Sequence, residues 1–390
     1  MERLTAALAQ QQATVGLREL VPLVPLADGR VAVPGHPTPW LDFSSNDYLG
    51  YSQHPEVKAA AAAALDRYGA GAGASRLMSG DRPLFHELED ALARLVGCES
   101  ALLFGAGFLA NTGVIPVLVG RGDTVLADRA SHASLLDGCR LAGARLIRFR
   151  HNDAGHLEEL LIRERPRCRQ ALIVAESLYS MDGDLAPLAD LVAMKHRFDA
   201  MLLVDEAHSV GVFGARGGGL LEELGLAAGA DVVIGTLGKA LGSSGAFAAG
   251  SRLLRQALIN QARTFIFSTA PPPAAAAAAL AAVALLAREP ERRRDLRVRA
   301  AGFRQALAAA GLAMGPALAQ IQPILVGDSL RAVALRDRLR REGLFVTAVR
   351  PPTVPAGTAR IRFSVTWQHS AEQLAATARQ VAAACQGIES

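Results

Sequence analysis

A chain of 390 residues, half of them apolar and a fifth charged, is long enough for two hydrophobic cores and suits an α/β protein better than a disordered or fibrous one. Its net charge of +4 is small and scattered, which argues against nucleic acid as a partner. Cys98, Cys139, Cys168 and Cys385 lie far apart with no C-x-x-C pair, so they are expected to be reduced thiols that bind no metal, in a cytoplasmic protein.

The first 20 residues or so read as an amphipathic helix without the apolar centre of a signal peptide. Two short strands follow, Arg30–Val33 and Trp40–Phe43, and then a polar loop, Ser44–Gly50, able to hold a ligand or simply to turn. After a helix from His54 to about Tyr68 comes a glycine-rich loop, residues 69–76, that does not match the P-loop pattern and whose Arg76 has no role that spacing suggests. A helix to about Leu95 leads into a strand, Ala101–Phe104, which breaks at Gly105-Ala106-Gly107-Phe108 into another helix. Such a turn exposes backbone N–H groups to a phosphate, although tight strand–helix turns also need glycine on their own account.

From there strands and helices alternate: strands Thr124–Asp128, Arg145–Phe149, Ala171–Glu176 and Met201–Asp205, and helices over 132–142, 156–163 and 187–197. This is the pattern of βαβ units in a mostly parallel sheet with helices on both faces, in which ligands bind beyond the carboxyl ends of the strands. Residues 274–287, mostly alanine after three prolines, form a helix too short and too weakly apolar to span a bilayer. Beyond about residue 291 the pattern becomes that of a smaller α+β domain. The expected division is an N-terminal segment 1–45, a large domain 46–275 and a C-terminal domain 276–390.

The chain has 38 arginines and three lysines, Lys58, Lys195 and Lys239. Lys58 and Lys195 read as solvated helix charges. Lys239 follows the strand-like run Asp231–Gly235 and sits among glycines, where it is either structural or the primary amine of Schiff-base chemistry, which a guanidinium cannot perform. An aldehyde cofactor with a phosphate and a nitrogen ring would need a carboxylate beside the ring nitrogen, and Asp205 at a strand end suits, unless it is an ordinary strand-end acid. His132 could stack on the ring, His208 and Ser180 could meet its phenolic oxygen, and Gly107, Phe108 and Thr236 could hold the phosphate.

Ser44–Gly50 (SSNDYLG), Asp128–His132 (DRASH), Ser180–Asp184 (SMDGD), Val204–Gly211 (VDEAHSVG), Thr236–Gly242 (TLGKALG) and Arg350–Arg362 (RPPTVPAGTARIR) together resemble the α-oxoamine synthases, a branch of the fold-type-I enzymes dependent on pyridoxal 5′-phosphate (PLP). The resemblance implies that Lys239 carries PLP, Asp205 pairs with its ring nitrogen, His132 stacks on it, and His208, Ser180, Gly107, Phe108 and Thr236 touch it. It further implies that Ser268 and Thr269 serve the phosphate of a neighbouring subunit in a homodimer, and that Asn46 and Arg362 hold an amino-acid carboxylate. The segment Arg350–Thr358 is similar to the branch member that condenses L-alanine with a pimeloyl thioester in biotin synthesis, and Arg18 and Thr353 match its substrate contacts. Members that join glycine to acetyl-CoA or succinyl-CoA share most of the cofactor motifs. Whether the acyl group arrives on CoA or on a carrier protein stays open, and no metal or membrane partner is implied.

Overall fold

The apolar runs between Ser100 and Gly250 become one seven-stranded sheet in the structure, a computed structural model that describes residues 1–389. Its strands are β1 (Ser100–Phe104), β2 (Thr124–Asp128), β3 (Arg145–Phe149), β4 (Ala171–Glu176), β5 (Met201–Asp205), β6 (Val232–Thr236) and β7 (Ala246–Gly250). They lie in the order β1-β7-β6-β5-β4-β2-β3, and β7 alone pairs antiparallel with both neighbours. Every residue of β2, β4 and β7 is buried, as expected of strands covered on both faces. The remaining strands point the same way, so their carboxyl ends gather at one edge, where Asp128, Glu176, Asp205 and Thr236 end their strands.

The sequence pattern did not announce β7 or the helix after it, Arg252–Gln261. Ala246-Phe247-Ala248-Ala249-Gly250 is too poor in β-branched residues to read as a strand. What holds it is close packing. A Cβ on Gly235 would lie 2.3 Å from the Phe247 ring, so the absence of a side chain on β6 makes room for the ring on β7.

The chain divides into two units, one of Tyr51–Tyr179 with Leu185–Arg293, the other of Met1–Gly50, Ser180–Asp184 and Arg294–Ser390. The break falls after Arg293, not near residue 275, because helix Pro273–Arg288 packs against helices Pro55–Tyr68 and Pro83–Val96 of the larger unit. The predicted first helix is also shorter, Glu2–Val15, and ends at Gly16, whose φ of 73° is glycine territory.

In the smaller unit, Ile321–Gly327, Ala359–Ser364 and Thr347–Val349 form an antiparallel sheet. Trp40–Asp42 pairs in parallel with Leu344–Phe345, which ties the N-terminal segment to the C-terminal part of the chain. Behind these strands Phe43 stacks on Phe303 at 5.6 Å and on His369 at 4.4 Å, and meets Phe363 edge-on. Burial holds the His369 imidazole neutral, its pKa pushed down to about 4. This cluster seats two functional candidates, since Asn46 lies three residues beyond Phe43 and Arg362 adjoins Phe363.

No disulfide forms among the described residues, and burial raises the thiols of Cys98 and Cys139 to about 11 and about 12, which leaves them unreactive at neutral pH. Among the described residues no single helix is long and apolar enough to cross a membrane.

Candidate active site

Lys239 lies in the tight connection from β6 to β7. The Gly242 N–H bonds the Lys239 carbonyl at 2.8 Å, the Ser243 N–H the Leu237 carbonyl at 2.8 Å, and the Leu237 N–H the Gly245 carbonyl at 2.9 Å. Gly242 has φ 59°, and a Cβ there would lie 2.3 Å from the backbone N of Ser52, so only glycine lets the loop close against that chain. From this fixed loop the Lys239 Nζ reaches 2.8 Å from Nε2 of His208.

His208 stands just beyond β5, in a loop held by the buried carboxyl of Glu206. That carboxyl accepts the N–H groups of Leu220 and Leu221 and the hydroxyl of Ser177. Burial pushes the Glu206 pKa up, and these bonds oppose the rise. Asp205, the last residue of β5, accepts the Ala207 N–H on Oδ1 at 2.9 Å and the Asn111 amide on Oδ2 at 3.0 Å.

His132 caps the helix α1 (Ala133–Ala142). Its backbone N–H donates to Oε1 of Glu176 at 2.6 Å, and its Nδ1 meets the Ser134 hydroxyl at 2.7 Å. The protein packed around the imidazole pushes its pKa down; Asp205 opposes this and the Lys239 charge adds to it. A neutral, flat ring at a strand end is what stacking on an aromatic cofactor requires. Glu176 is the register neighbour of Asp205 across β4 and β5, and burial together with that neighbouring carboxylate raises its pKa.

The Gly105–Phe108 turn leads into helix Gly107–Leu118, so the Gly107 and Phe108 amides belong to the four that lack intrahelical acceptors. No atom lies within 4 Å of where a Gly107 side chain would start, and Phe108 is 48% exposed. This leaves an open, positively polarised helix end for an anion. The Thr236 hydroxyl, half-buried, donates to the Gly245 carbonyl at 3.1 Å and accepts the Gly238 N–H at 3.2 Å. Ser268 and Thr269 follow the short helix Arg263–Ile266, and the next residue, Ala270, bonds through its N–H to the Ala74 carbonyl at 3.0 Å.

Arg76, silent in the sequence, here binds that glycine-rich loop to the rest of the larger unit. It is buried, its Nε lies 2.6 Å from Asp81, its other nitrogens meet the Glu89 carboxylate, and its guanidinium covers the rings of Phe85 and Phe265 at 5.4 and 5.7 Å. Glu89 also accepts the Leu103 N–H of β1 at 3.0 Å and Arg255 at 2.9 Å. Replacing Arg76 with Met would leave a buried carboxylate short of one partner. Arg76→Met should lower unfolding free energy by on the order of 3 kcal/mol, read by urea titration; a loss under about 0.5 kcal/mol would mean that the pair behaves like a surface ion pair.

The smaller unit gathers a second group. Both terminal nitrogens of Arg362, 9% exposed, lie 3.3 Å from Oδ1 of Asn46, which also accepts the Tyr48 hydroxyl at 3.1 Å. Arg362 Nε donates to the Ser180 carbonyl at 2.6 Å, so the backbone of Ser180 is engaged there. Arg360 grips the same SMDGD segment through Asp182 and the Met181 carbonyl. Arg18 donates to the Pro351 carbonyl at 3.1 Å, and Arg350 to the carbonyls of Gly16 and Leu17, which brings the Arg18 segment to the turn that carries exposed Thr353.

Residues 38–381 match the family model described as aminotransferase class I and II. The chain belongs to that family. Within it the chain is 50% identical to the 8-amino-7-oxononanoate synthase of Nitrosococcus oceani over 86% of this chain and 89% of that one. It is 46% identical to the 8-amino-7-oxononanoate synthase of Pseudomonas putida over 95% and 94%. Among solved structures, a serine palmitoyltransferase from S. paucimobilis with a bound PLP–myriocin aldimine superposes with a TM-score of 0.93 at 32% identity, covering 100% of this chain and 98% of that one. The fold is therefore that of the fold-type-I PLP enzymes, an α/β protein with a large, mostly parallel sheet, as the motifs imply.

The sequence reading assigned no task to Asn111 or Ser134, which link Asp205 to His132. Asn111 did carry a signal, being the one amide in the helix that starts at Gly107, whose other residues are apolar or glycine except Thr112.

Proposed function

We propose that this chain is an 8-amino-7-oxononanoate synthase. It joins L-alanine to a pimeloyl thioester, releasing carbon dioxide and the free thiol and leaving an amino ketone. The observation that carries the reading is that relatives 46–50% identical over most of the chain bear this one name. The donor set supports it: a lysine amine, a carboxylate at a strand end, a flat neutral histidine and an open helix N-terminus are what PLP requires.

When bound, PLP supplies the electron sink that makes a proton on the amino-acid Cα removable. The chain's residues do the rest. Lys239 would hold the cofactor's aldehyde carbon, and its Nζ, as a free amine, would take the Cα proton of alanine and return one. Asp205 would pair with the ring nitrogen, His132 would stack on the ring, and His208 and Ser180 would meet its oxygen-bearing edge. Gly107, Phe108 and Thr236 would hold the phosphate, joined by Ser268 and Thr269 from a second copy of the chain in a homodimer. Asn46 and Arg362 hold the alanine carboxylate, and Arg18 and Thr353 meet the acyl substrate.

Arg362 presents a planar fork that a lysine cannot reproduce. Arg362→Lys should raise KM for alanine by about 10-fold or more, the value of one charge-assisted hydrogen bond, while KM for the thioester moves little. Equal changes in the two constants would remove Arg362 from the carboxylate role.

The reading is tested by offering alanine, glycine and serine in turn with pimeloyl-CoA and identifying the product by mass. Alanine is expected to be preferred. Turnover of glycine with acetyl-CoA at a higher kcat/KM would replace this reading with another acyl choice in the same branch.

A further inference from the structure

Asn111 is 2% exposed inside an apolar helix, a costly place for an amide unless its hydrogens are used. Both are. One goes to Oδ2 of Asp205 at 3.0 Å and the other to Oγ of Ser134 at 2.9 Å. The orientation of the amide follows from the first of these, because turning it over would set its carbonyl oxygen against a carboxylate.

Ser134 passes the constraint on. Its oxygen accepts from Asn111, so its own hydrogen is directed to Nδ1 of His132, 2.7 Å away, and the Ser134 backbone N–H points at the same nitrogen from 3.3 Å. With two donors converging on it, Nδ1 is an acceptor, and the ring proton of the neutral imidazole sits on Nε2. Glu176, which holds the His132 N–H at 2.6 Å, fixes the backbone that carries the ring.

We propose that Asn111 is a positioning residue that sets two members of the site at once, orienting Asp205 through one amide hydrogen and, by way of Ser134, fixing His132 as its Nε2–H tautomer through the other. The consequence for catalysis rests on the reading of Asp205 and His132 as PLP contacts; the tautomer itself does not. A single side chain thus couples Asp205 to His132. Disturbing one should disturb the other.

The test is ¹⁵N NMR of imidazole-labelled protein freed of cofactor, with the His132 signal assigned by its loss in His132→Gln. The unmodified protein should show the Nε2–H tautomer. Ser134→Ala, which leaves the Asn111–Asp205 bond in place, should give a mixture of both tautomers and lower kcat about 2- to 10-fold with little change in KM for either substrate. Asn111→Ala should mix the tautomers to the same degree and lower kcat further, since Asp205 is also released. Adding Ser134→Ala to it should change the tautomer ratio no more. An Nδ1–H form in the unmodified protein, or an unchanged tautomer in Ser134→Ala, overturns the proposal. If Asn111→Ala does not fold, Ser134→Ala alone decides. Lack of synthase turnover in the unmodified protein would count against the proposed function, and the tautomer result is read without turnover.

Discussion

Lys239→Ala is expected to bind PLP without the visible absorption of a lysine-linked cofactor and to lose turnover by at least about 10³-fold. In the proposed reading the variant removes two tasks of one nitrogen, the covalent hold on the cofactor aldehyde and the transfer of the Cα proton, and general-base catalysis alone is worth about 10²–10⁴-fold. The loop should survive, because the three hydrogen bonds that close it, Gly242 to Lys239, Ser243 to Leu237 and Leu237 to Gly245, are all between backbone groups. Loss of activity should therefore come without loss of the folded state, which circular dichroism would verify. A variant that kept a tenth of its turnover would rule out Lys239 as the reacting amine.

Asp205→Asn is the second large effect, and it is more selective. The substitution keeps the shape at the end of β5 and leaves an oxygen to accept the Ala207 N–H or the Asn111 amide, both now at about 3 Å. In the proposed reading it removes the negative charge that would keep a ring nitrogen protonated. Removing one preorganised electrostatic partner of this kind costs about 10²–10³-fold in kcat. In that reading Arg362 and Asn46 hold the alanine carboxylate, so the KM for alanine should change little. Steady-state kinetics on fully loaded enzyme separate the two constants. A fall in KM-limited rate with kcat intact would mean that Asp205 serves binding and not the chemical step.

The candidate site was legible in the sequence because its groups lie at the ends of apolar strands or a few residues beyond them. Asp205 and Thr236 end their strands, His132 and His208 follow by a few residues, and the alternation of strand and helix forces those ends to one edge of the sheet. Ligand chemistry placed at such ends is a property of the topology. What connects the groups was not legible. Asn111 and Asp205 are 94 positions apart, and Arg76 finds Glu89 and Phe265 only after the loop has folded back on the sheet. Spacing along the chain carries no trace of such partners.

The remaining differences have local physical causes. β7 is built of alanine and glycine and draws its order from burial between β1 and β6, not from propensity. The expected boundary at residue 275 gave the polyalanine helix to the C-terminal domain, whereas its small side chains let it pack closely on helix Pro55–Tyr68 of the larger unit. Composition marks an alanine-rich helix without saying which neighbour it serves.

The measurement that tests the central claim most directly is product analysis with purified enzyme, PLP, pimeloyl-CoA and alanine labelled with ¹³C at the carboxyl carbon. The account predicts one equivalent of labelled carbon dioxide and one of free CoA for each unlabelled 8-amino-7-oxononanoate formed, with all three absent in Lys239→Ala. Release of CoA without labelled carbon dioxide, or retention of the label in the product, would contradict it.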